Sequence, residues 1–238
     1  MTVRIRLGSA AKRLFDTTFA LAVLAVTSPL LLVAAIGIKL TSPGPVFYRA
    51  RRVGRGGTSF FMLKLRTMHS GSDRQGAITA PGDCRVFSLG QLLRKLKIDE
   101  LPQFWNILTG DLSIVGPRPE DPRIIARDYT DWMRETLEVR PGITGPGSVY
   151  GYIYGDALLD PVDPEGSYAQ ALLPPKLALE RAYMERSTLL RDFGYILLTA
   201  WAIAAHVLKR PIQLPAADVR GARDWAPQGP YPGDNDNR

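Results

Sequence analysis

The 238-residue chain has one cysteine, Cys84, and two histidines. A single thiol excludes an intramolecular disulfide framework and a CxxC zinc or redox site. Cys84 is most simply a small buried or idle side chain, and the isolated His69 takes a surface role by default. Acidic residues are also missing where they would be expected. None lies between Asp16 and Asp73, an interval that holds Lys39, Arg49, Arg51, Arg52, Arg55, Lys64 and Arg66. In a chain of net charge +7, such a block suits a polyanion: nucleic acid, lipid headgroups or a nucleotide. Its basic residues lack the regular aromatic interleaving of a base-stacking surface, so nucleic acid is not the expected partner. The length is enough for one sizeable core, or one domain with appendages.

Charge of either sign is absent from Thr17 to Ile38, a run about long enough to cross a bilayer core as a helix. No small-residue cleavage site follows it, which argues against a cleaved signal peptide. Arg4, Arg6, Lys12 and Arg13 precede the run, and Lys39 and Arg49 to Arg55 follow it. Both flanks therefore ask for the cytoplasmic side. Ser28-Pro29 sits mid-run, where proline removes a helix hydrogen bond and bends the helix. The Ser28 hydroxyl is placed to satisfy a backbone group freed in this way. These features favour a re-entrant helix that bends at Ser28-Pro29 and returns to the same face. The residues alone leave a straight span with a tolerated proline open.

Beyond a turn at Thr41 to Pro45, Val46-Phe47-Tyr48 and Ser59 to Arg66 read as a hairpin joined through Arg55-Gly56-Gly57. The glycines match no Walker or dinucleotide pattern, and the arginines near them read equally well as solvated turn residues. Gly71 to Pro81 reads as a mobile polar loop. Ser88 is placed to cap a helix whose Leu89, Leu92, Leu93 and Leu96 recur at helical spacing. Two adjacent acids follow, in Lys97-Ile98-Asp99-Glu100-Leu101-Pro102. Alone, Asp99 reads as the cap of a second helix running from about Glu100 to Leu108, and Glu100 as a surface residue. The alternative reading gives the pair chemistry on a phosphate, with the helix dipole and nearby cations keeping Asp99 ionised. Arg118, between Pro117 and Pro119, is a rigid guanidinium suited to gripping phosphate.

Asp121 to Glu138 reads as one amphipathic helix, and Arg140 to Gly147 as a tight loop. Pro174 to Glu185 reads as a helix. Phe193 to Leu208 is short for a span and reads as a packed or interface-lying helix. From Pro211 onward, proline, glycine, aspartate and asparagine suggest a disordered tail. The fold class expected is α+β, mostly helical, divided into residues 1–40 (basic segment and membrane helix), 41–210 (catalytic domain with interfacial helices) and 211–238 (tail).

In order and spacing, a set of motifs resembles the bacterial sugar transferases, the small monotopic phosphoglycosyl transferases. The set comprises Lys12-Arg13 with Asp16, Ser28-Pro29, Ser42-Pro43-Gly44-Pro45-Val46-Phe47, Lys64 to Met68, Leu93-Arg94-Lys95 through Ile98-Asp99-Glu100-Leu101-Pro102-Gln103, Asn106-Ile107-Leu108, Gly110-Asp111, Ser113 to Pro119 and Arg140 to Gly145. It covers about residues 11–210. The resemblance implies transfer of a sugar-1-phosphate from a UDP-sugar to a polyprenyl (undecaprenyl) phosphate, with release of UMP. That reaction would begin an exopolysaccharide or related glycoconjugate.

It further implies a monotopic protein with a re-entrant membrane helix broken at Ser28 and Pro29. The catalytic domain would lie on the cytoplasmic face of the bacterial inner membrane, among membrane lipids; a homodimer is left open. Carried over by motif, Asp99 is the nucleophile, Glu100 the Mg²⁺-associated acid, and Lys64, Arg94 and Arg118 line the phosphate site. One stretch departs from the commoner family pattern: Pro146 to Tyr152 lacks its tryptophan, amide and arginine. Two competing readings remain: a membrane-anchored polyanion-binding module without catalysis, and a Mg²⁺-dependent phosphohydrolase.

Overall fold

The computed structural model describes residues 10–72, 78–79, 82–208 and 210–231. Most of the expected loop at 71–81 lies outside them. In chain order the first elements are α1 (Ala10–Thr41), β1 (Phe47–Val53), β2 (Ser59–Leu65), α2 (Ser88–Lys95), α3 (Gln103–Thr109) and β3 (Ser113–Val115). Then come α4 (Pro122–Asp128), α5 (Asp131–Arg134), β4 (Gly142–Thr144), α6 (Pro146–Leu158), α7 (Pro164–Ser167), α8 (Leu173–Glu185), α9 (Leu189–Leu208) and α10 (Ala216–Arg223). The protein is therefore mostly helical. Its strands form two small sheets, the antiparallel β1–β2 hairpin and the parallel pair β3–β4.

The hairpin is where the sequence placed it, with β1 longer than the expected three residues. Phe47 pairs with Leu65 and Val53 with Ser59. Ala50 and its cross-strand partner Met62 are buried on one face, and Val53 and Leu65, three residues further along their strands, are buried on the opposite face. The core is built on α8, whose Leu173, Leu177, Ala178, Leu179 and Tyr183 are buried among α6, α9 and α10.

α1 rests on this body at both ends. Near its start, Arg13 donates to the carbonyls of Ile107 (2.6 Å) and Leu108 (3.1 Å). The buried Asp16 accepts from the Ser113 hydroxyl (2.8 Å) and the Ile114 N–H (3.3 Å). Near its end, Ala34 and Ile38 pack with Leu65, Phe87 and Leu93. No residue of 21–33 is buried, and Leu21, Val26, Leu30, Leu32 and Val33 are exposed. That stretch rises only about 20 Å at ~1.5 Å per residue, less than the ~30 Å of a bilayer core.

The secondary structure continues through Ser28 and Pro29, so the expected break is not an interruption of the helix. Pro29 supplies no N–H to the Ala25 carbonyl. The Ser28 hydroxyl donates to that same oxygen at 2.9 Å, which is the compensation expected of it.

Four expectations are corrected. Residues 211–238 are not wholly a disordered tail: α10 packs on α8, and Leu214, Asp218, Val219, Ala222 and Tyr231 are buried. Only 232–238 fall outside the described residues. The helix expected over 121–138 is split into α4, α5 and a 3-10 turn, because Tyr129 turns extended and Thr130 starts a new helix. Ser88 is the first residue of α2 and does not cap it; Phe87 is the cap residue. Cys84 is exposed.

Candidate active site

The two acids lie in a chain reversal between α2 and α3. Lys97 takes the left-handed conformation (φ 55°), the only non-glycine among the described residues with positive φ. Lysine adopts it at a cost of about 1 kcal/mol, and the 3-10 turn Ile98–Glu100 follows. Leu101 and Pro102 then lead into α3, which has Pro102 at its cap position and no side-chain cap. Asp99 therefore caps nothing. The turn frees its carboxylate to face a cavity instead.

Three other segments converge on the turn. Lys64 is on β2, which the hairpin register holds opposite Tyr48. Arg94 is in the last turn of α2. That helix comes close to the strand end because Gly90 has no Cβ, an added one lying 2.2 Å from the Thr67 carbonyl oxygen. The approach brings the Arg94 Nε to 2.8 Å from the Thr67 hydroxyl. Arg118 follows β3 and also donates to the Ile143 carbonyl at 3.3 Å. Lys64, Arg94, Asp99, Glu100 and Arg118 all line one cavity, so all five candidate residues come together. Ser28 and Pro29 lie on the exposed stretch of α1.

The two acids have different surroundings. Arg118 grips Glu100 with both terminal nitrogens, at 2.6 Å (Oε1) and 3.1 Å (Oε2). Lys64 and Lys97 approach the same Oε1 at 3.3 and 3.5 Å. Burial would raise the Glu100 carboxyl, but Arg118, Lys64 and Lys97 outweigh it and hold it well below the usual range. Asp99 is 5% exposed, and its Oδ1 has no hydrogen-bond partner among the described residues. Burial, then the Glu100 charge, push its carboxyl up, against the pull of Lys64, Lys97 and Arg94. Burial and Glu100 thus work against the Asp99 charge, while Lys64, Lys97 and Arg94 favour it. Glu100 is a fixed anion within a cationic clamp, and Asp99 is an under-solvated carboxylate with one free oxygen.

Sequence reasoning missed two participants. Lys97 was part of the quoted motif but was given no role; its ammonium lies 4.8 Å from the Tyr152 ring centre. Tyr152 belongs to the departing stretch, which is the start of α6 and not a loop, with Pro146 in its first turn. Ser148 and Tyr152, one helical turn apart, both line the cavity.

Behind this wall lies Glu180, which is fully buried. It accepts from the Gly147 N–H at 2.9 Å, and Cβ atoms at Gly145 or Gly147 would meet its carboxylate at 3.0 and 2.6 Å. Burial pushes its carboxyl up to about 8, against Lys176 and the Gly147 N–H. A carboxyl raised in the folded state contributes stability in full below its unfolded value of 4.5. The contribution falls as pH rises towards about 8. Wild-type Tm is therefore expected to drop between pH 5 and 8 more steeply than that of Glu180→Gln, as read by thermal unfolding. Equal slopes would remove Glu180 as the cause.

Mg²⁺ was expected at Glu100. Among the described residues, no group of three or more His, Cys, Asp or Glu is placed to hold a metal. The orphaned Asp99 Oδ1 and the adjacent Glu100 offer two carboxylates. That fits a hard cation held by few protein ligands and completed by substrate phosphate oxygens. With Lys64, Lys97 and Arg118 crowding Glu100, the fit depends on phosphates arriving with the metal.

The family model for bacterial sugar transferases matches residues 7–206. A UDP-glucose:undecaprenyl-phosphate glucose-1-phosphate transferase of Caulobacter vibrioides is 38% identical over 196 residues, covering 79% of this chain and 67% of that protein. A UDP-N-acetylgalactosamine-undecaprenyl-phosphate N-acetylgalactosaminephosphotransferase of Aeromonas hydrophila is 44% identical over 146 residues, 59% of this chain and 34% of that one. The exopolysaccharide production protein ExoY of Sinorhizobium fredii is 37% identical over 163 residues, 61% and 71%. The chain thus spans about two thirds of the Caulobacter relative and about a third of the Aeromonas one.

Proposed function

The chain belongs to the bacterial sugar transferase family, and on that premise we propose that it transfers a sugar-1-phosphate from a UDP-sugar to undecaprenyl phosphate, releasing UMP. The observation that carries the assignment to a site is the asymmetry of the acids. Asp99 is buried with a free oxygen, beside a Glu100 neutralised by three cations. A carboxylate relieved of hydrogen bonds is a better nucleophile than a solvated one.

In the first step an Asp99 oxygen bonds to the β-phosphorus. The bridging bond to the α-phosphate breaks, and UMP leaves with the bridging oxygen. In the second, an oxygen of the lipid phosphate bonds to the same phosphorus and Asp99 leaves as carboxylate. Arg118, Lys64 and Lys97 face the phosphoryl oxygens, where charge spreads in the transition state. Mg²⁺, when bound at Asp99 and Glu100 with the diphosphate, supplies further charge neutralisation. Arg94 adds a further, weaker pull towards the ionised form of Asp99, after Lys64 and Lys97. Relatives of this chain use different sugars by name, so the donor is identified by assay. Purified protein with Mg²⁺, undecaprenyl phosphate and a panel of UDP-sugars is expected to release UMP. No release with any sugar contradicts the reading, and release without lipid dependence favours a phosphohydrolase.

Burial pulls Lys64 down to about 8, against the opposing Glu100 charge. It is a cation below that pH and neutral above it. kcat/KM for the UDP-sugar, which reports the free enzyme, is therefore expected to fall as pH rises through about 8. In Lys64→Arg the fall should move to higher pH. A limb that stays in place belongs to another group.

α1 is read as the membrane anchor and as re-entrant, because both its ends lie on one body and residues 21–33 are too short to cross. The domain would then face the cytoplasm. An impermeant thiol reagent is expected to treat Cys84 of the wild type, and residue 11 in a Cys84→Ser, Ala11→Cys variant, as lying on the same side of the membrane. Labelling from opposite sides would sink the re-entrant reading.

A further inference from the structure

The cavity that holds Asp99 extends well past the charged cluster. It measures about 1250 Å³, whereas pockets for one small ligand run to about 300–1,000 Å³. Its lining includes Lys64, Glu100 and Arg118. It also includes Phe19 and Val23 of α1, Ile196, Ala200 and Ile203 of α9, and Phe104 of α3. Helices α1 and α9 are tied near their starts, where Lys12 donates to Asp192 at 2.5 Å. Beyond the tie they supply separate walls of this cavity. The one hydroxyl on the α9 wall, Thr199, is already engaged with Thr144 and the Tyr195 carbonyl. The side chains that α1 and α9 contribute are therefore apolar or already hydrogen-bonded.

We propose that this cleft between α1 and α9 seats the first isoprene units of the acceptor, and so holds the lipid phosphate within reach of Asp99. The proposal rests on the transferase reading above. A cavity lined both by anion-binding cations and by the apolar side chains of α1 and α9 matches a phosphate carried on a hydrocarbon chain. The nucleotide sugar does not match those apolar side chains, since its hydroxyls and base would lose hydrogen bonds to water and gain none from them. The cleft also has an exit for a long chain. The exposed Val26 and Leu30, three and seven residues past Val23 on the same helix face, continue the apolar surface of α1, so the tail passes from the cleft onto the face that meets lipid. Each isoprene unit seated here is removed from water, and apolar burial contributes about 25 cal/mol per Å².

The test uses the full-length protein in lipid nanodiscs with undecaprenyl phosphate. Val23→Trp and Ala200→Trp each fill the cleft from a side that is not fully buried. The acceptor KM is expected to rise roughly tenfold or more relative to any change in the UDP-sugar KM. An unchanged acceptor KM overturns the proposal, as does an equal rise in both constants, which would place the walls in the donor site. If a variant does not fold, the wild type decides. An acceptor carrying a photoreactive group in its second isoprene unit should label α1 and α9, and labelling elsewhere overturns the proposal. Failure of the transferase reading looks different: the wild type would release no UMP from any UDP-sugar.

Discussion

Asp99→Asn is expected to lower UMP release by roughly 10⁴-fold or more, the scale of losing a covalent nucleophile. Asparagine has nearly the same shape and fits the same turn, so the fold has no reason to change. What is lost is the negative oxygen that attacks phosphorus. Stability should move the other way. Burial and the neighbouring Glu100 both disfavour the Asp99 charge, and its Oδ1 has no partner. Neutralising it removes that penalty, so the variant Tm is expected to equal or exceed the wild-type value. Inactivity together with an undiminished Tm separates a chemical role from a structural one. Substantial turnover in the variant would remove Asp99 as nucleophile.

Arg118→Lys is the second large effect, and its direction runs against the conservative look of the change. Arg118 holds both oxygens of Glu100, at 2.6 and 3.1 Å, and braces on the Ile143 carbonyl. A lysine ammonium cannot reproduce a planar two-point grip. Glu100 would then answer mainly to Lys64 and Lys97, and those cations would be drawn away from the phosphates they face. Loss of one preoriented donor at a charged transition state costs about 10²–10³ in rate. kcat/KM for the UDP-sugar is expected to drop on that scale. A value within about threefold of wild type would mean that the clamp does not act on the transferring phosphoryl group.

What could be read from the sequence followed from local rules. The β1–β2 hairpin shows in the apolar, aromatic runs Val46-Phe47-Tyr48 and Ser59 to Arg66 on either side of Arg55-Gly56-Gly57. Helix α8 shows in its length, and α1 in its missing charge. Ser28 was identified as the partner for a carbonyl freed by Pro29, because both residues lie within one helical turn. The five charged site residues were found through their motif order, and they converge. What escaped depends on distant contacts. Asp99 looks like a helix cap until Lys97 turns left-handed and postpones α3 to Gln103. The Pro- and Gly-rich C-terminal region looks disordered. Yet Gly221 lets α10 press against Ala182, and the Tyr231 ring packs against Tyr150. Residues 146–152 look like a loop by glycine content, while the structure makes them the helix that carries Tyr152 to Lys97. No local pattern carries those long-range contacts.

The central claim is that Asp99 forms a covalent phosphosugar intermediate, and intact-protein mass spectrometry tests it most directly. The protein is incubated with Mg²⁺ and its UDP-sugar, with no lipid acceptor, and then weighed. The predicted result is a gain of one sugar phosphate per chain, mapped to Asp99, with a matching amount of UMP, and loss of the adduct when undecaprenyl phosphate is added. An unmodified mass from an enzyme that releases UMP once acceptor is present, or an adduct on any other residue, would contradict it.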